Sequence, residues 1–135
     1  MKVTKSVVGQ RSTTARLVAA IERRHLTVFA RFDHTELAQQ VGLELTPIEV
    51  IVFGNPRAGT PLMVRDPRVG IELPLRFLVW EDGESPALIG YHDPRDLADR
   101  YELDDQLVVL DTMAELLAAI AAEAAAPEEV VEPEA

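Results

Sequence analysis

The stretch Ile48-Glu49-Val50-Ile51-Val52-Phe53, followed by Gly54-Asn55-Pro56-Arg57-Ala58-Gly59-Thr60-Pro61, decides the fold. The first six residues are almost all apolar, which is typical of a strand covered on both faces, so we expect this strand in the middle of a sheet. The next eight residues predict a tight loop in which Gly and Asn take positive φ. Thr60 before Pro61 has the pattern of a helix start, which predicts a short helix over 62–69.

Four further strands are predicted around this one. Each is a short run of apolar, β-branched or aromatic residues that ends at Gly, Pro or Asp. The last two runs are separated by Asp82-Gly83-Glu84-Ser85-Pro86, whose turn chemistry predicts a hairpin. The predicted strands cover 2–8, 26–32, 48–53, 75–81 and 87–92.

Helices are predicted from their start and stop signals. Asp33 and Glu36 have capping-box spacing, and Gly42 is a left-handed stop. Asp93 before Pro94 is a second cap followed by proline. The predicted helices run from Ser12 or Thr13 to Arg24, over 34–41, 62–69 and 94–101, and onward from Asp111 or Thr112.

Length and composition indicate one domain. The 135 residues, of which 47% are hydrophobic, are enough for a single core. We expect a globular α+β domain over 1–123 and an acidic, disordered tail over 124–135, because the tail contains little besides Ala, Pro and Glu. The sequence contains no Cys, which excludes disulfides and thiolate chemistry and favours a cytoplasmic location.

The distribution of charge along the chain limits the classes of partner that the protein can bind. The net charge is −10, but all 13 Lys and Arg lie at or before Arg100, together with 13 of the 23 acidic residues. The body is therefore neutral and lacks the basic footprint of a nucleic-acid-binding protein. No apolar run approaches the roughly 20 residues of a membrane span. We expect no nucleic acid partner, no membrane partner and no cofactor.

Two strings of the sequence carry a resemblance to a known family. They are Phe-Gly-Asn-Pro-x-x-Gly-Thr-Pro-Leu-Met over 53–63 and Val-Trp-Glu-Asp over 79–82, in that order and spacing. With the runs 26–34, 38–46 and 91–94 they closely resemble the domain of unknown function 302 family, over about residues 3–122. The resemblance implies a curved, mainly antiparallel sheet of about five strands with helices on one side, similar to the TATA-binding-protein-like class. It implies no function. His92 stands where members often carry Asn, so chemistry that needs this imidazole would not extend to the family.

Polar side chains at the predicted strand ends suggest a ligand site. If these ends lie on one edge of the sheet, they could form a cleft for an anion or a carboxylate. Arg57 is the best single contact, because a forked cationic donor in a shaped loop suits such groups. Helix capping explains Asp33 and Asp93 at least as well. The candidate residues are Asp33, His34, Asn55, Arg57, Thr60, Tyr91 and Asp93.

Three alternatives bear on this hypothesis. A small hydrolase-like or transferase-like enzyme could use Thr60 as nucleophile and His34 as base. A metal site of Asp33, His34, His92 and Asp93 is disfavoured, because neighbouring strand residues point to opposite faces. A homodimer could form through a sheet edge or an apolar face. The sequence favours a non-catalytic small-ligand or protein-interaction module over an enzyme.

Overall fold

The computed structural model describes residues 1–83 and 86–127. Within these ranges the chain alternates strands with helices and ends on a long helix. The strands are β1 (Lys2–Lys5), β2 (Thr27–Asp33), β3 (Ile48–Gly54), β4 (Leu75–Trp80) and β5 (Leu88–Tyr91). The α-helices are α1 (Gln10–Arg23), α2 (His34–Gln40), α3 (Pro56–Arg65) and α4 (Leu107–Ala125), and two 3₁₀ helices cover Pro67–Glu72 and Pro94–Asp99.

The five strands form one open antiparallel sheet in the order β1-β5-β4-β3-β2. This confirms the predicted α+β class, and β4 and β5 pair as the predicted hairpin. The 48–53 strand lies inside the sheet as expected, because β3 pairs with β2 on one side and β4 on the other, although β4 is the middle strand.

Burial alternates along the inner strands, so the sheet has two unlike faces. In β3, Glu49, Ile51 and Phe53 are buried, whereas the residues between them are only half-buried. The buried side, called the inner face here, packs against α1 and α4, with Leu17 and Ile120 fully buried between the layers. The other side, the outer face, supplies no member of either buried core cluster, so the prediction that β3 is covered on both faces is wrong.

The ring of Phe77 stabilises the centre of the inner face. It stacks on Phe53 with 5.2 Å between ring centroids and meets Tyr91 edge-on at 5.7 Å. Both geometries are favourable for aromatic pairs. A second buried cluster lies under α3, the two 3₁₀ helices and the start of α4; its members are Leu62, Val69, Leu97, Leu103, Leu110 and Met113.

The first and last helices, α1 and α4, begin earlier than their sequence signals predict. Gly9 is the residue before α1 and gives no side-chain cap; instead Gln10 N–H donates to Glu81 Oε1 at 2.6 Å. The predicted cap Thr13 lies inside α1, buried, and bonds Ser6 Oγ at 2.7 Å. The last helix starts at Leu107, before the predicted Asp111 or Thr112, because burial of Leu110 selects the earlier turn.

The C-terminal boundary also differs from its prediction. Helix α4 continues through Ala124 and Ala125, which are 1% and 7% exposed and belong to the core. Arg23, the last residue of α1, and Arg24, which follows it, both pair with Glu123 at 2.8 and 2.6 Å, which ties α1 to α4. The expected disorder of the tail concerns residues 128–135, which lie outside the described residues.

Among the described helices, none combines the length and apolar character that crossing a lipid bilayer requires.

Candidate functional site

The Gly- and Pro-rich string that follows β3 forms a helix rather than the predicted loop. Asn55 is the N-cap of α3, and its side-chain oxygen accepts from Arg57 N–H at 3.0 Å, with Pro56 in the first turn. The cap-then-proline signal occurs twice, at Asn55-Pro56 and Thr60-Pro61, and the chain uses the first. Thr60 therefore lies inside α3 and does not cap it. Positive φ occurs in the described residues only at His25, Gly42 and Gly83, so the prediction of positive φ in this string is wrong, whereas Gly42 ends α2 as predicted.

A cavity of about 400 Å³ opens beside α3. It lies between the ends of β2 and β3, α3, the segment before β4, and one face of α4. Apolar side chains dominate its walls, and its side-chain polar groups come from Asn55, Thr60 and Thr112 alone. The lining residues are Leu26, Phe29, Gly54, Asn55, Pro56, Ala58, Gly59, Thr60, Met63, Gly70, Leu73, Pro74, Leu75, Thr112, Met113 and Leu116.

Two glycines border this space, Gly59 in the string and Gly70 in the 3₁₀ helix Pro67–Glu72. A methyl group built on Gly59 would lie 3.6 Å from Leu73 Cδ1 and 3.9 Å from Met63 Cε, in ordinary contact with two wall residues. A methyl on Gly70 would reach Met63 Sδ at 3.4 Å. Larger side chains at these positions would occupy the cavity, so the glycines keep it open. None of the sixteen lining residues carries a charge, which defines the cavity, here called the apolar pocket, as a site for uncharged surface.

Arg57 does not line the apolar pocket, although both of its neighbours do. It occupies the first turn of α3 and is exposed. In the described part of the chain its side chain has no ion-pair partner. Arg57, the predicted contact for an anion, is therefore exposed to solvent and lies outside the apolar pocket.

Asp33 and His34 lie at the opposite end of the sheet. Asp33 pairs with Glu49 at the start of β3, whereas Gly54 at the other end leads into α3. Five residues of extended strand separate these ends by about 17 Å. Asp33 caps α2 as predicted, accepting from Glu36 N–H at 3.0 Å. The predicted convergence of His34 with Arg57 is therefore wrong, because the two residues follow opposite ends of paired strands.

Asp33 instead lines a polar cavity of about 450 Å³ between α1, α2 and the inner face. At its base the buried carboxylate of Glu49 accepts hydrogen bonds from Arg31 Nε at 2.7 Å and Gln10 Nε2 at 3.0 Å. These partners already satisfy the buried acid. The cavity is therefore explained by structural pairing.

Tyr91 and Asp93 lie at the same end as α3 but outside the apolar pocket. Tyr91 packs in the core, where burial and then the Asp93 carboxylate raise the pKa of its phenol, so the phenol is protonated at neutral pH. Asp93 caps the 3₁₀ helix Pro94–Asp99 through Arg95 N–H at 3.0 Å. With His92 it lines a third cavity of about 510 Å³, and Leu75 stands between that cavity and the apolar pocket.

Of the seven predicted site residues, Asn55 and Thr60 are the two that line the apolar pocket. His34 and Thr60 also lie at opposite ends of the sheet, so His34 cannot act as the base for Thr60 as the hypothetical nucleophile. In residues 1–83 and 86–127 there is no cluster of three or more His, Cys, Asp or Glu that could hold a metal ion. The apolar walls, Phe29, Leu73 and Leu116 among them, were not predicted from the sequence. Only the closely spaced small residues of the 54–63 string gave a signal in the sequence, because small side chains leave space around them.

The fold and this string place the chain in a known class. It belongs to the family described as "Domain of unknown function DUF302", whose model matches residues 2–123. The crystal structure of the uncharacterized conserved protein DUF302 from Bacillus stearothermophilus has the same fold, with a TM-score of 0.80 and 23% sequence identity over 91% of this chain and 96% of that one.

Longer curated proteins share part of the sequence. Proteins named Fluoride-specific ion channel FluC 1 from Brucella suis biovar 1 and Brucella abortus biovar 1 are each 42% identical over 91 residues, which is 67% of this chain. The match covers 36% and 34% of those relatives, so the chain spans about a third of their length. The name describes those proteins as wholes.

Proposed function

We propose that this chain is a non-catalytic binding module whose apolar pocket takes a small, largely apolar molecule. The observation that carries the proposal is the lining of the 400 Å³ pocket, which contains no charged residue. Pockets of this size and character are typical of small-molecule sites, in which apolar walls supply affinity and a few polar groups orient the ligand. A cytoplasmic location is part of the proposal and is supported by the absence of Cys.

The lining of the pocket favours an uncharged ligand, whereas the sequence predicted an anion or a carboxylate. A carboxylate or phosphate enclosed by uncharged walls would lose its hydration without gaining a cationic partner, which is unfavourable. Asn55, Thr60 and Thr112 can each exchange a neutral hydrogen bond with a hydroxyl or carbonyl group. The ligand class that fits is therefore an aliphatic or aromatic molecule with at most one or two neutral polar groups.

The fluoride-channel name is not extended to this chain. It belongs to relatives of which the match covers only about a third. The charge-free lining of the apolar pocket also gives it no cation that would attract a free halide.

Thermal shift measurements with three probes test the proposal. The probes are 1-octanol, octanoate and inorganic phosphate, applied to the natural chain and to two variants. Gly59→Leu extends a side chain from α3 into the pocket, past Leu73 and Met63. Ala119→Leu introduces the same side chain at an exposed position of α4 and is the control.

We expect 1-octanol to raise the Tm of the natural chain and of Ala119→Leu but not of Gly59→Leu. A ligand at ten times its Kd stabilises a protein by about 1.4 kcal/mol, a shift on the order of 5 °C for a domain of this size. Equal shifts in all three proteins would contradict the proposal. A shift with phosphate alone, abolished by Arg57→Ala, would instead support the anion site expected from the sequence.

A further inference from the structure

The third cavity, of about 510 Å³, combines ionisable and apolar walls and is called the mixed cavity here. It lies at the end of the sheet where β5 leads into the 3₁₀ helix Pro94–Asp99. Its volume is in the range of small-molecule sites. Six of its eleven lining residues are ionisable, namely Glu72, Arg76, His92, Asp93, Asp96 and Arg100.

Three of these six residues already have partners within the fold. The Glu72 carboxylate accepts from Arg100 Nη1 and from the Tyr101 hydroxyl, both at 2.9 Å. Asp93 caps the 3₁₀ helix, and its carboxylate lies 3.7 Å from Arg95 Nη1. The charges of these residues are therefore offset by the protein itself.

Arg76 and Asp96 are the two charged residues of the mixed cavity that remain. Among the ion pairs of residues 1–83 and 86–127, neither side chain takes part in one. Both residues are exposed, so a ligand can reach them from solvent. The cavity thus offers one cation and one anion that the fold does not use.

The strand register places these two charges on different walls. Leu78 of β4 pairs with Gly90 of β5, so Arg76 and His92, each two residues from that pair, are level with each other at the end of the sheet. Asp96 lies in the 3₁₀ helix that follows. The cationic wall therefore belongs to the sheet and the anionic wall to the helix, with the cavity bordered by both.

We infer that the mixed cavity binds a free α-amino acid with an aliphatic side chain, at a site separate from the apolar pocket. The ligand carboxylate accepts from the forked guanidinium of Arg76, with His92 as a further donor. The ligand ammonium group donates to the carboxylate of Asp96. The aliphatic side chain covers Ile71, which is 79% exposed, and the neighbouring wall residue Leu75.

The pair of unlike charges selects a zwitterion over a simple ion. A plain anion would satisfy Arg76 but would leave the carboxylate of Asp96 beside it without a partner. A plain cation would have the reverse effect. An α-amino acid carries both groups on one carbon and offsets both residues at once. Because exposed ion pairs are weak, we expect a Kd on the order of 1 mM.

A ¹H–¹⁵N titration of the whole labelled chain with three probes tests the inference. The probes are L-leucine, isocaproate, which lacks the ammonium group of leucine, and isoamylamine, which lacks its carboxylate. L-leucine should give saturable shifts centred on the amides of Ile71, Arg76 and His92. Each of the other two probes should bind more weakly than L-leucine by about threefold or more, because one charged contact is missing.

Two variants assign the two ends of the ligand. Arg76→Gln should weaken L-leucine by about threefold or more without weakening isoamylamine, and Asp96→Asn should weaken L-leucine to a similar extent without weakening isocaproate. The matched controls are Arg57→Gln and Asp99→Asn, which change exposed residues outside the mixed cavity and should keep the affinity of the natural chain. The dispersion of each spectrum shows whether the variant is folded.

Three results would overturn the inference. The first is the absence of any saturable shift with L-leucine. The second is binding of isocaproate as tight as that of L-leucine, which would mark a simple anion site. The third is a set of L-leucine shifts centred on Gly59, which would place the ligand in the apolar pocket.

Discussion

Asp66 and Glu102, 36 residues apart, are joined by a hydrogen bond in which Glu102 N–H donates to Asp66 Oδ2 at 2.9 Å. Asp66 is 4% exposed, and it also caps the 3₁₀ helix that starts at Pro67 through Arg68 N–H at 3.1 Å. The Arg68 guanidinium pairs with it at 2.8 Å. One carboxylate therefore holds the segment after α3 against the segment before α4, and the helices α3 and α4 themselves both line the apolar pocket.

The Asp66 contacts predict a pH-dependent stability. The Arg68 side chain first, and then Glu102 N–H, hold the pKa of this carboxyl well below its usual range. The stabilisation is complete above the unfolded pKa of about 3.9, and it is lost as pH falls towards and through the folded pKa. Asp66→Asn should therefore lower the urea midpoint at pH 7, and the gap from the natural chain should narrow below about pH 4. The exposed neighbour Asp104 gives the control Asp104→Asn, and an equal gap at pH 3 and pH 7 would contradict this account.

The start of α3 predicts unequal effects of two truncations. Asn55→Ala removes the side chain that accepts from Arg57 N–H and should cost about 1 kcal/mol of unfolding free energy. Thr60→Ala changes an exposed side chain within the helix and should alter stability by less than about 0.5 kcal/mol. Chemical denaturation of both variants measures the difference. If the Thr60 variant lost more stability than the Asn55 variant, the helix would start where the sequence analysis expected.

Two C-terminal deletions distinguish the contribution of the end of α4 to stability from that of the residues after it. Removing 124–135 takes away two buried alanines and the Ala126 carbonyl that accepts from Arg16 Nη1 at 2.8 Å. We expect a loss of about 1–2 kcal/mol, from the buried methyl area and the end of α4. Removing only 128–135 leaves these contacts in place and should cost less stability than removing 124–135. Identical Tm values for the two deletions would show that α4 does not need its last turn.

Local signals account for much of the fold that the sequence predicted. Asp33 and Asp93 cap their helices because a carboxylate next to free N–H groups acts over two or three residues. The prediction that Thr60 caps a helix was wrong, because two equivalent start signals lie five residues apart. The packing of Leu62 and its neighbours determines which of them starts the helix.

The candidate site was harder to predict because its walls come from distant parts of the chain. Leu26, Leu73 and Met113 meet only after the sheet and α4 have packed. In the sequence each is part of an ordinary apolar pattern, so a wall residue cannot be told from a core residue. The prediction instead relied on polar side chains at strand ends. The antiparallel register places these side chains at opposite ends of the strands.

The most direct test of the proposed function is a ¹H–¹⁵N correlation spectrum of the labelled chain titrated with 1-octanol. The account predicts saturable shifts centred on the amides of Gly54, Gly59, Gly70 and Thr112, all of which line the apolar pocket. Amides around Arg31 and Glu49, in the polar cavity at the other end of the sheet, should not move. Shifts centred on that polar cavity, or no saturable shift at any of the four pocket amides, would contradict the account.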